Sequence, residues 1–155
     1  MEAVLTSLIA VSGTLLGSVL TFAVQRRTSA RAEVFARSQQ LRQDRLTTYS
    51  AYAGAVTALK QATVTLWFRL QEAPDGPEAR HAFAECDRLG AAAENAQFQV
   101  RLLAGDSALV ALAAQAFDTL GPLRAASTRA DLARREQDLE DALNAFIAAA
   151  TTQIH

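Results

Sequence analysis

The chain has 155 residues, half of them hydrophobic, with a formal net charge of −1 and a single cysteine, so it holds at most one modest soluble domain and no internal disulfide. The near-neutral total conceals two opposed halves: Arg26 to Ala73 is basic with a net of +5, and Pro74 to His155 is acidic with a net of −5. Two histidines, with no Gly-rich phosphate loop, nucleophile elbow or Ser/His/Asp set, argue against an enzyme and against a bound cofactor.

The first element is an apolar helix. Twenty-three uncharged residues run from Ala3 to Gln25 and then meet Arg26 and Arg27. At ~1.5 Å per residue this run is about 35 Å long, enough to cross a hydrocarbon layer of roughly 30 Å. A cleaved signal peptide fits poorly, because no basic residue precedes the core and the core is too long. The basic residues all follow it, so residues 3–25 are expected to be an uncleaved single-pass anchor. The short N-terminus then lies outside and the C-terminal domain in the cytoplasm. Ala10, Gly13, Gly17 and Thr21 form one small-residue stripe containing a G-x-x-x-G, a pattern that lets two anchors approach closely and self-associate. A rival assembly uses Thr6, Ser7, Ser12, Thr14, Ser18 and Thr21 to line a narrow polar path, which would make the chain a pore or channel subunit. The absence of an ionisable residue in the anchor weakens selective ion transport.

Residues 26–45 read as a basic helical stalk. Arg26, Arg27, Arg31 and Arg37 are placed to meet the headgroups of an anionic leaflet, each worth about 1 kcal/mol near the surface. The same charges could meet DNA phosphates, but no aromatic interleaving or groove-reading motif supports direct nucleic-acid binding. Residues 36–45 have almost no apolar face, as a solvated connector would.

A four-helix, up-down bundle is expected over residues 46–153, making the whole chain all-α. Its first seam is Tyr49, Tyr52, Val56, Leu59, Leu66 and Leu70, in steps of three, four and seven. Pro74-Asp75-Gly76-Pro77 breaks the helix, and Pro77 suits the first position of the next. The second seam is Phe83, Cys86, Leu89 or Gly90, Ala93, Gln97, Val100 and Leu103. Gly105 is expected as a left-handed residue closing that helix, and Asp106 as the cap of the next. The third helix buries Leu109, Leu112, Ala116, Phe117, Leu120 and Leu123, with a kink or early stop at Gly121-Pro122. Thr128-Arg129-Ala130-Asp131 resembles a capping box and opens the fourth. Its apolar face is Leu132, Leu139, Leu143, Phe146, Ile147 and Ala150. Short connections make successive helices antiparallel neighbours.

Little chemistry is visible on this frame. His81, Glu85 and Cys86 could share part of a helical face, but they are too few for a structural metal site and lack a second ligand pair, so no metal is expected. The acidic run Glu136, Asp138, Glu140 and Asp141 lacks the Glu-x-x-His of di-metal bundles and reads as a solvated face. Leu66-Trp67-Phe68-Arg69 is the most unusual cluster. Leu66 belongs to the seam, and one of Trp67 and Phe68 should join it while the other faces outward. Trp67, Phe68 and Arg69 are therefore the candidate contact for a protein partner, with a plug at the end of the bundle as the plainer alternative.

The order of parts carries a resemblance. The Leu8–Gly17 opening, the Arg-rich stalk, Arg45-Leu46-Thr47-Thr48-Tyr49-Ser50-Ala51-Tyr52, and an Ala-rich helix ending near Trp67 and Arg69 follow one another. With the later Ala116–Arg124 segment, the layout resembles the small actinobacterial membrane proteins of the KilB type, spread proteins of Streptomyces conjugative plasmids. The preponderance of Arg over Lys and the abundance of Ala fit a GC-rich genome of that kind. The resemblance implies a non-enzymatic part in plasmid spread, as a partner of the DNA translocation apparatus. Together, these features lead to the expectation of a membrane-anchored, homo-oligomeric adaptor that meets lipid through its flank and an as yet unidentified protein partner through its bundle.

Overall fold

The computed structural model describes the backbone of residues 2–154 and the side chains of residues 35–154. The described residues form helices and no strand: α1 Glu2–Glu72, α2 Pro77–Leu103, α3 Ser107–Asp118, α4 Leu120–Arg124 and α5 Arg129–Ile154. The chain divides into two units, Met1–Arg42 and Gln43–His155, with the boundary inside α1. In the first unit the described side chains are all exposed, and Ser38 Oγ donates to the carbonyl of Phe35 at 2.7 Å. Among the described residues no helix is long and apolar enough to cross a membrane. The expected anchor, residues 3–25, and the stalk up to residue 34 lie outside the described side chains.

In the second unit, the turns follow from local chemistry. Pro74 has no N–H, and its ring would meet the carbonyl of Leu70 four residues back, so α1 stops at Glu72. Gly76 N–H donates to Ala73 O at 3.0 Å and closes the turn, and Pro77 opens α2 with its missing donor where none is needed. Asp106 caps α3 by accepting from Ala108 N–H at 2.9 Å. At the start of α5, Thr128 Oγ1 accepts from Asp131 N–H at 3.0 Å, and Asp131 Oδ2 accepts from Ser127 N–H at 3.2 Å. The Thr128 half of the expected capping box is present, but the Asp131 carboxylate reaches back to Ser127 N–H, one residue before the cap, rather than to Thr128 N–H. Arg135 and Arg134 also bond the Asp131 carboxylate, and these two guanidiniums hold its pKa far below the usual carboxylate range.

One expectation about a helix end is corrected. No glycine among the described residues has a positive φ. Helix α2 ends instead on Ala104, which turns extended at φ −67° and ψ 125°, so Gly105 is not a left-handed cap. A Cβ at Gly105 would lie 3.2 Å from Arg45 Nη2, a contact that the arginine side chain eases by a shift of a few tenths of an ångström. The early stop expected at Gly121-Pro122 is found, with the break falling at Thr119. Pro122 cannot bond the carbonyl of Asp118 and its ring crowds it, so α3 ends at Asp118 and α4 restarts at Leu120.

The core follows heptad spacing. Tyr49, Tyr52, Val56, Leu59, Thr63 and Leu66 of α1 are buried, and Thr63 satisfies its hydroxyl on its own helix by donating to Leu59 O at 2.8 Å. Tyr52 is fully buried, donates to the carbonyl of Ala113 on α3, and has its phenol pKa pushed up by burial. The Tyr52 and Tyr49 rings lie edge-on to Phe146 of α5, with centroids 4.9 and 6.1 Å away.

On α2 the seam is Ala79, Ala82, Cys86, Ala93, Ala96 and Val100, one position away from Phe83 and Gln97. Small side chains let the α2 backbone approach its neighbours, and the bulky Phe83 is left outside, 46% exposed. The same preference puts Ala113 in the core and leaves Leu112 half-buried; on α5, Ala142 is buried and Ile147 is 43% exposed.

Cross-links fix the direction of each helix. Tyr49 Oη donates to Gln153 Oε1 at 3.1 Å, Lys60 pairs with Glu140 at 2.7 Å and Trp67 Nε1 donates to Ala126 O at 2.7 Å. Later positions on α1 thus meet earlier positions on α5, so the two helices are antiparallel. Leu66 packs with Ala82 and Cys86, whereas the earlier Asp44 and Thr47 stand beside the later Gln99 and Leu102, so α1 and α2 are antiparallel as well. The second unit is an up-down bundle whose third member is the α3–α4 pair.

Candidate functional site

Trp67 and Phe68 divide as neighbours on a helix must. Trp67 is buried in the main core and spends its one donor on the Ala126 carbonyl, between α4 and α5. It is a plug, and a partner could not reach it. Phe68 is 37% exposed, stands edge-on to Trp67 with centroids 5.1 Å apart, and lies 5.7 Å from the Arg129 guanidinium. Arg69 is half-exposed and pairs with Glu72 at 2.9 Å. Of the expected trio, Phe68 and Arg69 are available at the surface.

A second exposed aromatic, Phe83, stands outside the seam expected for it. Phe83 stands out from α2, and the Arg124 guanidinium of α4 lies over its ring at 4.7 Å. An exposed ring and a cation in this arrangement gain about 0.5–1 kcal/mol, which orders both side chains without burying either. Beside this pair opens a groove of about 550 Å³ between α2 and the α3–α4 pair, with Leu59 and Thr63 of α1 as its floor. Cys86 sits at its edge, buried, with its thiol pKa pushed up by burial against a hydrogen bond with Thr63 that lowers it. Asp87, Glu94 and Arg124 stand around the groove, and Gly90 and Gly121 open it.

Other expected residues fall as follows. Ala10, Gly13, Gly17, Thr21, Arg26, Arg27 and Arg31 lie outside the described side chains, while Arg37 is described and exposed. Among the described residues no group of three or more His, Cys, Asp or Glu could hold a metal ion. Glu85, one of the three residues weighed for that role, is engaged by Arg88 at 2.6 Å.

A family model described as KilB plasmid transfer protein matches residues 46–154, more than two thirds of the chain. The chain belongs to this family. No curated protein matches it, and no solved structure does.

The KilB match begins at Leu46, just ahead of the first seam residue Tyr49, and ends with α5. It therefore takes in all the helices of the bundle core, together with Phe68, Phe83 and the groove. Sequence reasoning missed the groove because its floor and walls come from separate helices. Gly90 was the available signal: a glycine in the middle of an otherwise regular helical pattern carries a cost relative to alanine.

Proposed function

We propose that this KilB-family chain is a non-enzymatic, membrane-anchored adaptor in plasmid transfer. In this reading residues 3–25 cross the membrane and pair through Ala10, Gly13, Gly17 and Thr21. Arg26, Arg27, Arg31 and Arg37 rest on the inner leaflet. The cytoplasmic bundle presents a surface to a protein partner, with the DNA translocation apparatus as its place of action.

The observation that carries this reading is the family match over the bundle itself, which supports a role in plasmid transfer for that unit. The exposed rings of Phe68 and Phe83, each ordered by an arginine, support an interaction surface, since aromatic and arginine side chains dominate binding hot spots. The uncharged run from Ala3 to Gln25, followed by arginines, supports the anchor and its orientation.

The test joins genetics to biochemistry. Deletion of the gene should abolish or sharply reduce plasmid spread between recipient cells, and the wild-type gene should restore it. Crosslinking in native membranes should recover a second protein. Recovery of the chain crosslinked only to itself would remove the adaptor role. Release of the intact chain by alkaline carbonate would remove the anchor.

A further inference from the structure

We propose that the groove between α2 and the α3–α4 pair holds a helix of the partner protein, and that this helix is amphipathic and basic. The inference rests on the adaptor reading and names the surface and chemistry through which it would operate.

Three observations support it. First, the groove is a cavity of about 550 Å³ floored by the buried Leu59 and Thr63 and walled by Phe117 and Leu120, so it offers apolar surface to an inserted side chain. Second, Gly90 lies in the interior of α2, where a glycine costs roughly 0.5–1 kcal/mol relative to alanine. A Cβ added there would meet nothing within 4 Å, so the bundle's own packing does not require a glycine. The empty space opens into the groove, and a close-packed occupant would need it. Gly54 in α1 also has open space at its Cβ position but does not line the groove, and Gly121 has a local reason of its own, because the residue before Pro122 is relieved by lacking a Cβ.

Third, the rim is charged in a pattern. Asp87 and Glu94 are exposed on α2 seven residues apart, and neither forms an ion pair among the described residues. Seven residues are two helical turns, about 10.5 Å, so both carboxylates stand on one side of the groove. Across it Arg124 is held over the Phe83 ring. A helix lying along α2 repeats with the same period. It would complement this rim with two basic side chains two turns apart, an apolar side chain between them and an acidic group toward Arg124. Nucleic acid is repelled by the paired carboxylates, and a second copy of the chain is an outcome of the test.

The experiment uses the full chain in detergent micelles. The probe is a fluorescent amphipathic peptide about five turns long, carrying Arg at positions seven apart around a Leu, with a twin in which Glu replaces each Arg. Anisotropy should show the basic peptide bound at least roughly tenfold more tightly than its twin. Gly90→Leu, which fills the groove, should weaken that binding by about tenfold or more with the melting temperature retained. Paired D87K and E94K should reverse the peptide preference, whereas paired D138K and D141K on α5 should leave it unchanged.

Equal binding of the twins, unchanged binding by Gly90→Leu, or an equal effect of the α5 pair would overturn the proposal. So would a change of oligomeric state in Gly90→Leu without a change in peptide binding, which would assign the groove to a second copy. Plasmid transfer separates the two levels. If deletion leaves transfer intact, the adaptor reading fails. If deletion abolishes transfer and Gly90→Leu restores it fully, only the groove assignment fails.

Discussion

The indole of Trp67 donates to the backbone carbonyl of Ala126 at 2.7 Å, joining the end of α1 to the loop before α5 across 59 positions of chain. Around that bond, Arg135 Nη1 donates to Pro122 O of α4 at 2.9 Å and Asp131 takes Ser127 N–H of the loop, so α4 and the loop are held together from three directions. The α4–α5 connection is therefore a fixed corner of the bundle.

Trp67→Phe keeps most of the apolar volume and removes the donor, leaving a buried carbonyl without its partner. The expected loss is about 1–3 kcal/mol. Urea unfolding of the variant should show a lower midpoint with an unchanged slope, since the surface exposed on unfolding stays the same.

Phe146 and Ile147 are adjacent in sequence and opposite in consequence. Phe146 is fully buried against Tyr49 and Tyr52, whereas Ile147 is 43% exposed. Phe146→Ala should cost about 3–5 kcal/mol, and Ile147→Ala less than about 1 kcal/mol. Thermal melts of the pair check the assignment of the α5 core face.

Gly90→Ala should stabilise the chain by up to about 1 kcal/mol, because α2 gains helix propensity and the new Cβ enters open space. A loss of stability on denaturant unfolding would mean that the position is packed more closely than described.

Acid should act through Asp131. Its folded pKa is depressed by Arg135 and Arg134 below the ordinary 3.8. Its ionisation therefore contributes stability that is fully present above pH 3.8 and is lost as pH falls through the lower folded value. Asp131→Asn should melt below the wild type at neutral pH, and the gap should narrow once the pH drops beneath 3.8. A pH series of melts at low salt measures it, low salt being needed because exposed ion pairs are screened.

Phe68→Ser should leave the melting temperature within a few degrees of wild type, because the ring is at the surface beside Arg129. Recovery of the partner by crosslinking from native membranes should fall. Retained recovery would place the contact elsewhere on the bundle.

The sequence by itself determined the helical class, the turn at Pro74–Pro77 and the caps at Asp106 and Thr128. These depend on groups within a few residues of one another: a missing proline donor, or a side-chain oxygen near a free N–H. It also placed Tyr49, Tyr52, Val56, Leu59 and Leu66 of α1 inward, because the large side chains there repeat with a helical period; Thr63 and the choice between Trp67 and Phe68 were left to the tertiary structure. The tertiary structure alone decided that Ala82 and not Phe83 faces the core, that Ala104 and not a left-handed Gly105 ends α2, and that Gly90 opens a groove. Each of those outcomes depends on how near a neighbouring backbone comes. Closeness of approach is set jointly by side chains on several helices, and no single segment of the chain contains that information.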